Sequence, residues 1–214
     1  MREVMARDIP MRLALPFVAQ LRMDVLAPCD ADHLLPPSGI LYFFYLDELH
    51  LYNIGAWSMT ATADPTNRLI MHYDGDLALL RRADPPEELP ASRRYGACSL
   101  TFAREITLPN VETAYIRDRG SADGIVVLTE DEWNAYADLC YERRANLMIH
   151  QMLGHYDNMQ PYPAGTDINA RLLLQVDSQD NNGMSWGRDG KLYFFIHETD
   201  LAVRRWDTVW TREQ

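Results

Sequence analysis

Lysine is nearly missing from this 214-residue chain. Lys191 stands alone among 20 basic residues, the rest being arginine. Such usage fits GC-rich coding DNA and carries no functional message by itself. Cysteine is scarce as well. Cys29, Cys98 and Cys140 are isolated and odd in number, without a C-x-x-C pair or a Cys/His cluster. That argues against a disulfide framework or a zinc knuckle, and reduced, mostly buried thiols are expected. Long apolar runs are also lacking: nothing approaches the roughly 20 residues of a membrane span. The apolar stretch 13–21 is short, broken by Pro16 and Gln20, and preceded by Glu3 and Asp8, unlike a secretory leader. Positive charge is in deficit, with 31 Asp and Glu against 20 Lys and Arg, a formal net charge of −11. Phosphate backbones and anionic lipid repel such a chain. No nucleic-acid or membrane partner is therefore expected, a basic protein is the partner that the charge suits, and the expected location is the cytoplasm.

What is present is an ordinary globular composition, 47% hydrophobic and 24% charged. A chain of this length buries roughly 70% of its unfolded surface and needs no staple. The main internal signal is a repeat. Phe17-Val18-Ala19-Gln20-Leu21-Arg22 leads to Gly39-Ile40-Leu41-Tyr42-Phe43-Phe44, then Asp47-Glu48-Leu49. Much later, Leu172-Leu173-Leu174-Gln175-Val176-Asp177 leads to Gly190-Lys191-Leu192-Tyr193-Phe194-Phe195, then Asp200-Leu201. Gln20 and Gln175 lie 155 positions apart, and Gly39 and Gly190, like Tyr42 and Tyr193, lie 151 apart. Each unit reads as strand, glycine-bearing loop, strand, since aromatic and branched residues favour strands and glycine accepts backbone geometry that others resist. Leu-Tyr-Phe-Phe has large side chains on both faces, so both faces of that strand should be covered. Further strands are expected at 54–60, 68–73, 99–108 and 124–128, and a short helix at 77–82. One helix is well signed near 129–153. Thr129 with Glu132 forms a capping box, and Trp133, Tyr136, Ala137, Cys140, Leu147 and Met148 trace its apolar stripe up to Gly154. The expected fold is α+β, strand-rich and mostly antiparallel, with the duplication related by a pseudo-two-fold. The halves are roughly 12–110 and 111–214 of a single domain over 1–214.

Chemistry-bearing motifs are each matched by a plainer reading. Gly183-Met184-Ser185-Trp186-Gly187 spells the nucleophile elbow, but it precedes a strand rather than a helix, and a hairpin loop explains it. Ser178, Asp180, Asn182, Gly183 and Asp189 approach a calcium loop without its acidic first ligand or its twelfth-position Glu, and ordinary turns explain them. His150 and His155 are five apart, the wrong spacing for two zinc ligands on one helix face, and a helix-end histidine is the plainer reading. No P-loop, dinucleotide fingerprint or H-E-x-x-H occurs. The dispersed arginine pairs read as solvated ion pairs. Gln20 and Gln175, each inside an apolar strand, need partners if buried. They either satisfy backbone at the repeat interface or line a groove between the halves.

The run Leu172-Leu173-Leu174-Gln175-Val176-Asp177, Met184-Ser185-Trp186-Gly187, Gly190-Lys191-Leu192-Tyr193-Phe194-Phe195-Ile196, Asp200-Leu201 and Trp206-Asp207 closely resembles the YwqG-like family. Met152-Leu153-Gly154-His155 with Gln160, and the N-terminal Ala19-Gln20-Leu21, Leu35-Pro36 and Gly39-Ile40-Leu41-Tyr42-Phe43-Phe44, fit the same family. One departure is that the family often has an aromatic or aliphatic residue and then proline after that glycine, where this chain has His155-Tyr156. The resemblance implies one duplicated α+β domain and supplies no reaction, cofactor or catalytic list.

The expectation is a non-catalytic, cytoplasmic protein-binding domain. In its sharpest form it is an immunity-type protein that neutralises a basic toxin by electrostatic capture. The alternative is an enzyme or small-ligand binder using a groove between the halves. No catalytic residue, metal or cofactor is expected, and the binding candidates are Gln20, Gln175, Trp186, His155 and Asp180.

Overall fold

The computed structural model describes residues 2–6, 9–47, 65–109, 129–144, 150–157, 169–179, 181–187 and 189–214. The expected strands at 54–60 and 124–128, and residues Leu147, Met148 and Asp180, lie outside them.

Two antiparallel sheets carry the repeat. The first has the order β3 (Phe17–Arg22), β4 (Ile40–Tyr45), β5 (Arg68–Tyr73). The second has the order β6 (Gln151–Met152), β7 (Ala170–Asp177), β8 (Lys191–His197), β9 (Trp210–Glu213). Ahead of both, β1 (Arg2–Ala6) pairs with β2 (Ile9–Leu13). Among the described residues the α-helices are α1 (Met23–Leu26), α2 (Glu130–Arg144) and α3 (Glu198–Ala202). The architecture is thus α+β and strand-rich, as the sequence implies.

The duplication extends to register. Gln20 faces Tyr42 across β3 and β4, and Gln175 faces Tyr193 across β7 and β8. Each first strand carries a bulge two residues before its glutamine, which skips Val18 in one copy and Leu173 in the other. Both skipped residues are buried. The repeat glycines are crowded in the same way. A Cβ on Gly39 would collide with the Tyr73 carbonyl at the end of β5, and one on Gly190 with the Gln214 carbonyl just beyond β9. Gly39 also has φ +86°, a region that L side chains resist. Gly39→Ala should therefore lower stability by about 1–3 kcal/mol, measured by urea unfolding; a loss below a few tenths would show that the β4–β5 end relaxes freely.

The inner faces of the two sheets share one core. Phe43 and Phe194, equivalent residues of the repeat, meet edge to face with ring centroids 5.1 Å apart. Tyr45 packs against Phe194 at 6.2 Å and Trp186 at 6.0 Å. Leu21, Leu41, Ile70, Leu174, Leu192 and Leu201 complete the same cluster.

Some expectations need correction. The expected strand at 99–108 is irregular: Ile106 is 76% exposed, and no described strand pairs with the segment. A strand needs both a ladder partner and a face to bury. This stretch is tied down instead by Thr107 and by the Pro109 carbonyl, which accepts from the Tyr136 hydroxyl. The short helix at 77–82 contracts to a 3-10 turn over Leu77–Leu79, its first turn capped by Asp76. The capping box is present, since the Thr129 amide donates to Glu132 (2.9 Å) and the Glu132 amide to the Thr129 hydroxyl (3.4 Å). However, α2 is described over Glu130–Arg144 and Gln151–Met152 is a strand paired with β7, so the helix does not run to 153 and Gly154 does not end it. The stripe on α2 is also narrower than its letters suggest: Cys140 is buried, Tyr136 and Ala137 are half-buried, and Trp133 is exposed. The thiols are all free but not mostly buried: Cys140 is buried, Cys29 intermediate and Cys98 exposed. Not every arginine pair is solvated either, because Arg93 holds the buried Asp47 carboxylate at 2.9 Å.

Coverage of the two Leu-Tyr-Phe-Phe strands also differs. In β8 both faces are buried. In β4 the inward Leu41, Phe43 and Tyr45 are buried, whereas the outward Tyr42 and Phe44 are only half-buried. The expectation that both faces are covered holds for one copy alone.

Candidate functional site

The polar features of the chain converge on the outer face of the second sheet. Strand alternation places Gln175 and Asp177 of β7 on the same face as Lys191, Tyr193 and Phe195 of β8. The chain leaving β6 turns over this face through two successive left-handed residues, Leu153 (φ 61°) and Gly154 (φ 70°). The Gln151 amide staples the turn by donating to the carbonyls of Leu153 (2.7 Å) and His155 (2.9 Å). Tyr156 then packs edge-on against Phe195 (5.2 Å) and Tyr193 (5.9 Å), in a satellite cluster with Leu172 and Trp210.

Asp157 is held at three points. Its amide donates to the Gln175 Oε1 (2.8 Å), and its carbonyl accepts from the Tyr193 hydroxyl (2.6 Å). Its carboxylate pairs with the Lys191 ammonium, whose side chain is 9% exposed and whose Nζ also lies 3.8 Å from Asp177. The Asp177 amide donates to the His150 Nδ1 (3.1 Å), which requires that nitrogen to be unprotonated. Desolvation holds the His150 imidazole below its ordinary range, with Lys191 acting in the same direction and Asp177 against it. A histidine with a depressed native pKa binds protons more readily when unfolded. Its contribution to stability is full above its ordinary value near 6.5 and is lost as the pH falls below it. The melting temperature should accordingly drop between about pH 7 and 5, and His150→Gln should flatten that drop; an unchanged slope would show that His150 does not contribute.

The arrangement is a clasp for a peptide segment. An aromatic side chain enters a cluster of aromatic and apolar residues, the following backbone amide and carbonyl are both bonded, and a charge is neutralised. Of the sequence candidates, it gathers Gln175, which is fully buried, and the backbone of His155, whose ring is exposed. Trp186 lies instead in the shared core, between Tyr45 and Tyr95 (5.7 Å). Its loop is closed by the calcium-like residues themselves: the Ser178 hydroxyl accepts from the Trp186 amide and donates to the Gly190 carbonyl, and Asn182 bonds Gln179 and the Met184 amide. Ser185 is exposed ahead of strand β8, away from any strand-to-helix turn. Asp180 is outside the described residues. Lys191 and Asp157 were not among the sequence candidates. Lys191 stands out in the sequence only as the one lysine, and that rarity by itself names no role.

Gln20 is not buried within an apolar strand; it is exposed. β7 is covered at its edge by β6 and on its outer face by 155–157, whereas β3 is an edge strand of its sheet among the described residues. Around Gln20 the counterpart of the satellite cluster is nevertheless complete. Phe17, Tyr42, Phe44 and Leu69 stand where Leu172, Tyr193, Phe195 and Trp210 stand in the second sheet. Phe17 and Phe44 meet edge to face at 5.6 Å, and Phe17 and Met71 are each 43% exposed.

A family model described as "Domain of unknown function (DUF1963)" matches residues 7–214. No curated protein matches the chain.

Proposed function

The chain belongs to that family of unknown function, and from this premise we propose that it is a YwqG-like, cytoplasmic, non-catalytic protein-binding domain, in its sharpest form an immunity-type protein that neutralises a basic toxin. The observation that carries the reading is the outer face of the first sheet, where Phe17, Tyr42, Phe44 and Met71 leave apolar and aromatic surface in water, whereas Leu172, Tyr193 and Phe195, the counterparts of the first three, are buried. Contiguous aromatic surface of this kind suits protein recognition. The net charge of −11 favours a basic partner by steering and by complementarity. The test is affinity capture from host extract with the wild-type chain and with Met71→Arg. The expected result is a basic protein, retained in low salt, weakened by about 0.5 M salt and lost with the variant. Capture that is indifferent to Met71 and to salt would overturn the reading.

A second reading, a small-ligand binder or enzyme working between the halves, is favoured by one observation. The Trp186 indole N–H is buried at the junction of the two sheets without a hydrogen-bond partner among the described residues, and such a donor costs stability unless something bonds it. A thermal-shift screen of small metabolites tests it: a uniformly flat response disposes of it.

A further inference from the structure

The clasp of the second sheet shows what the first sheet is shaped to hold. Gln175 accepts from a peptide amide, Tyr193 donates to the carbonyl of the same residue, and Phe195 receives an aromatic ring. Gln20, Tyr42 and Phe44 repeat these groups in the same register. Among the described residues Gln20 and Tyr42 make no side-chain hydrogen bond, and Gln20 is exposed. The edge is repeated too. β6 pairs with β7 at Gln175 and Leu174, and the corresponding residues of β3, Gln20 and Ala19, have no described strand on that side. A short extended segment added there would gain main-chain hydrogen bonds.

The charges differ in an informative way. The pair Asp177–Lys191 is replaced at the same register by Arg22–Ile40. In the second sheet the ammonium of β8 meets the Asp157 carboxylate. In the first sheet the only cation at the pair is the Arg22 guanidinium, now on β3. Arg22 is engaged by Asp24 in an exposed surface pair, an interaction of small net strength that an incoming carboxylate can replace.

We infer that the outer face of β3 and β4 is a second, uncovered copy of this clasp, and that it takes from a partner protein an extended segment in which an aromatic residue is followed by an acidic one. The segment lays two residues along the edge of β3, turns, inserts its ring beside Phe44, Phe17 and Leu69, and bonds its next amide and carbonyl to Gln20 and Tyr42. Its carboxylate meets Arg22. The requirement is local, so the remainder of the partner is free to be basic and to meet the acidic exterior. The inference rests on the reading of this face as a protein-binding surface.

The probe is supplied by the molecule: a fluorescent synthetic peptide with the sequence of residues 150–157, titrated into the full-length protein and followed by anisotropy. Saturable binding is expected, competed by unlabelled peptide. Replacing the peptide's tyrosine with alanine should weaken binding at least about tenfold. Gln20→Leu and Tyr42→Phe should each weaken it about three- to tenfold, the worth of one hydrogen bond, and Tyr42→Phe leaves the packing intact. Arg22→Glu should weaken it further, and a peptide with lysine in place of its aspartate should bind Arg22→Glu better than it binds wild type. No saturable binding up to about 1 mM, or binding unchanged by Gln20, Tyr42 and Arg22, overturns the inference. Binding abolished by Gln175→Leu but not by Gln20→Leu also overturns it, since the peptide would then be entering the site that the chain itself fills. If host capture depends on Met71 while the peptide fails to bind, the surface still binds protein and only the clasp falls. If both fail, both readings fall.

Discussion

Lys191→Ala should lower the unfolding free energy by about 3–5 kcal/mol, because it leaves the Asp157 carboxylate poorly solvated and without its counterion. The Lys191 side chain is 9% exposed, and those of Asp157 and Asp177 are 16% and 14%. At such burial the cost of stranding one charge far exceeds the net worth of the pair. The loss should be nearly independent of salt, since buried pairs are screened little. Lys191→Met combined with Asp157→Asn should recover part of it, because the Asp157 charge goes with its counterion and only Asp177, 3.8 Å from the ammonium, keeps a charge there. Lys191→Arg should recover less than the full stability, as a planar fork replaces a compact ammonium between carboxylates from different elements. The internal control is Arg171 with Glu198, a pair about half exposed on both sides, where Glu198→Gln should cost under about 1 kcal/mol. Urea unfolding of these variants decides the matter: equal small losses at both pairs would show that Lys191 is solvated and the clasp is loose.

The second large effect lies in the core that the two sheets share. Phe43→Ala and Phe194→Ala should each cost about 3–5 kcal/mol, since both rings are fully buried and truncation leaves a cavity. Their contact at 5.1 Å should appear in a double-mutant cycle as a coupling of about 0.5–1.5 kcal/mol. With total stabilities of about 5–15 kcal/mol, the double variant should be unfolded or nearly so. The neighbouring repeat pair provides the contrast. Phe195, 1% exposed beneath Tyr156 and beside Trp210, should cost about 3–5 kcal/mol on truncation to alanine. Phe44, the same residue 151 positions earlier and half-buried, should cost roughly 1–2 kcal/mol, because burying only part of a side chain forfeits less. Equal losses at Phe44 and Phe195 would mean that the outer face of the first sheet is covered in solution.

Much of the fold was legible because it depends on local chemistry. Strand β5 over Arg68–Tyr73 follows from alternation and its preceding turn, and the start of α2 follows from the Thr129–Glu132 capping box. The segment at 99–108 was misread because branched and apolar letters show strand propensity but not whether a partner edge or a buried face exists. The end of α2 was misread for a similar reason: the apolar spacing continues past Arg144, but pairing with β7 turns Gln151–Met152 into strand. Of the site, Gln175 was legible as a polar residue in an apolar strand. Asp157 was not, because its role comes from a loop folding back over the sheet, and no spacing rule records that.

By itself, the sequence established a doubled strand–loop–strand unit, with its α+β class, its acidity and a glycine in the loop of each copy. Those properties are written in residue types and periods, which act over a few positions. The tertiary structure alone decided that the two copies differ. Gln20 and Gln175 both stand between apolar neighbours along the chain and opposite a tyrosine across the ladder, yet one is exposed and the other fully buried. The difference is made by β6 and the Tyr156–Asp157 segment, which close over the second sheet and not the first. Burial is a property of what packs against a strand, and that is settled by the path of the whole chain.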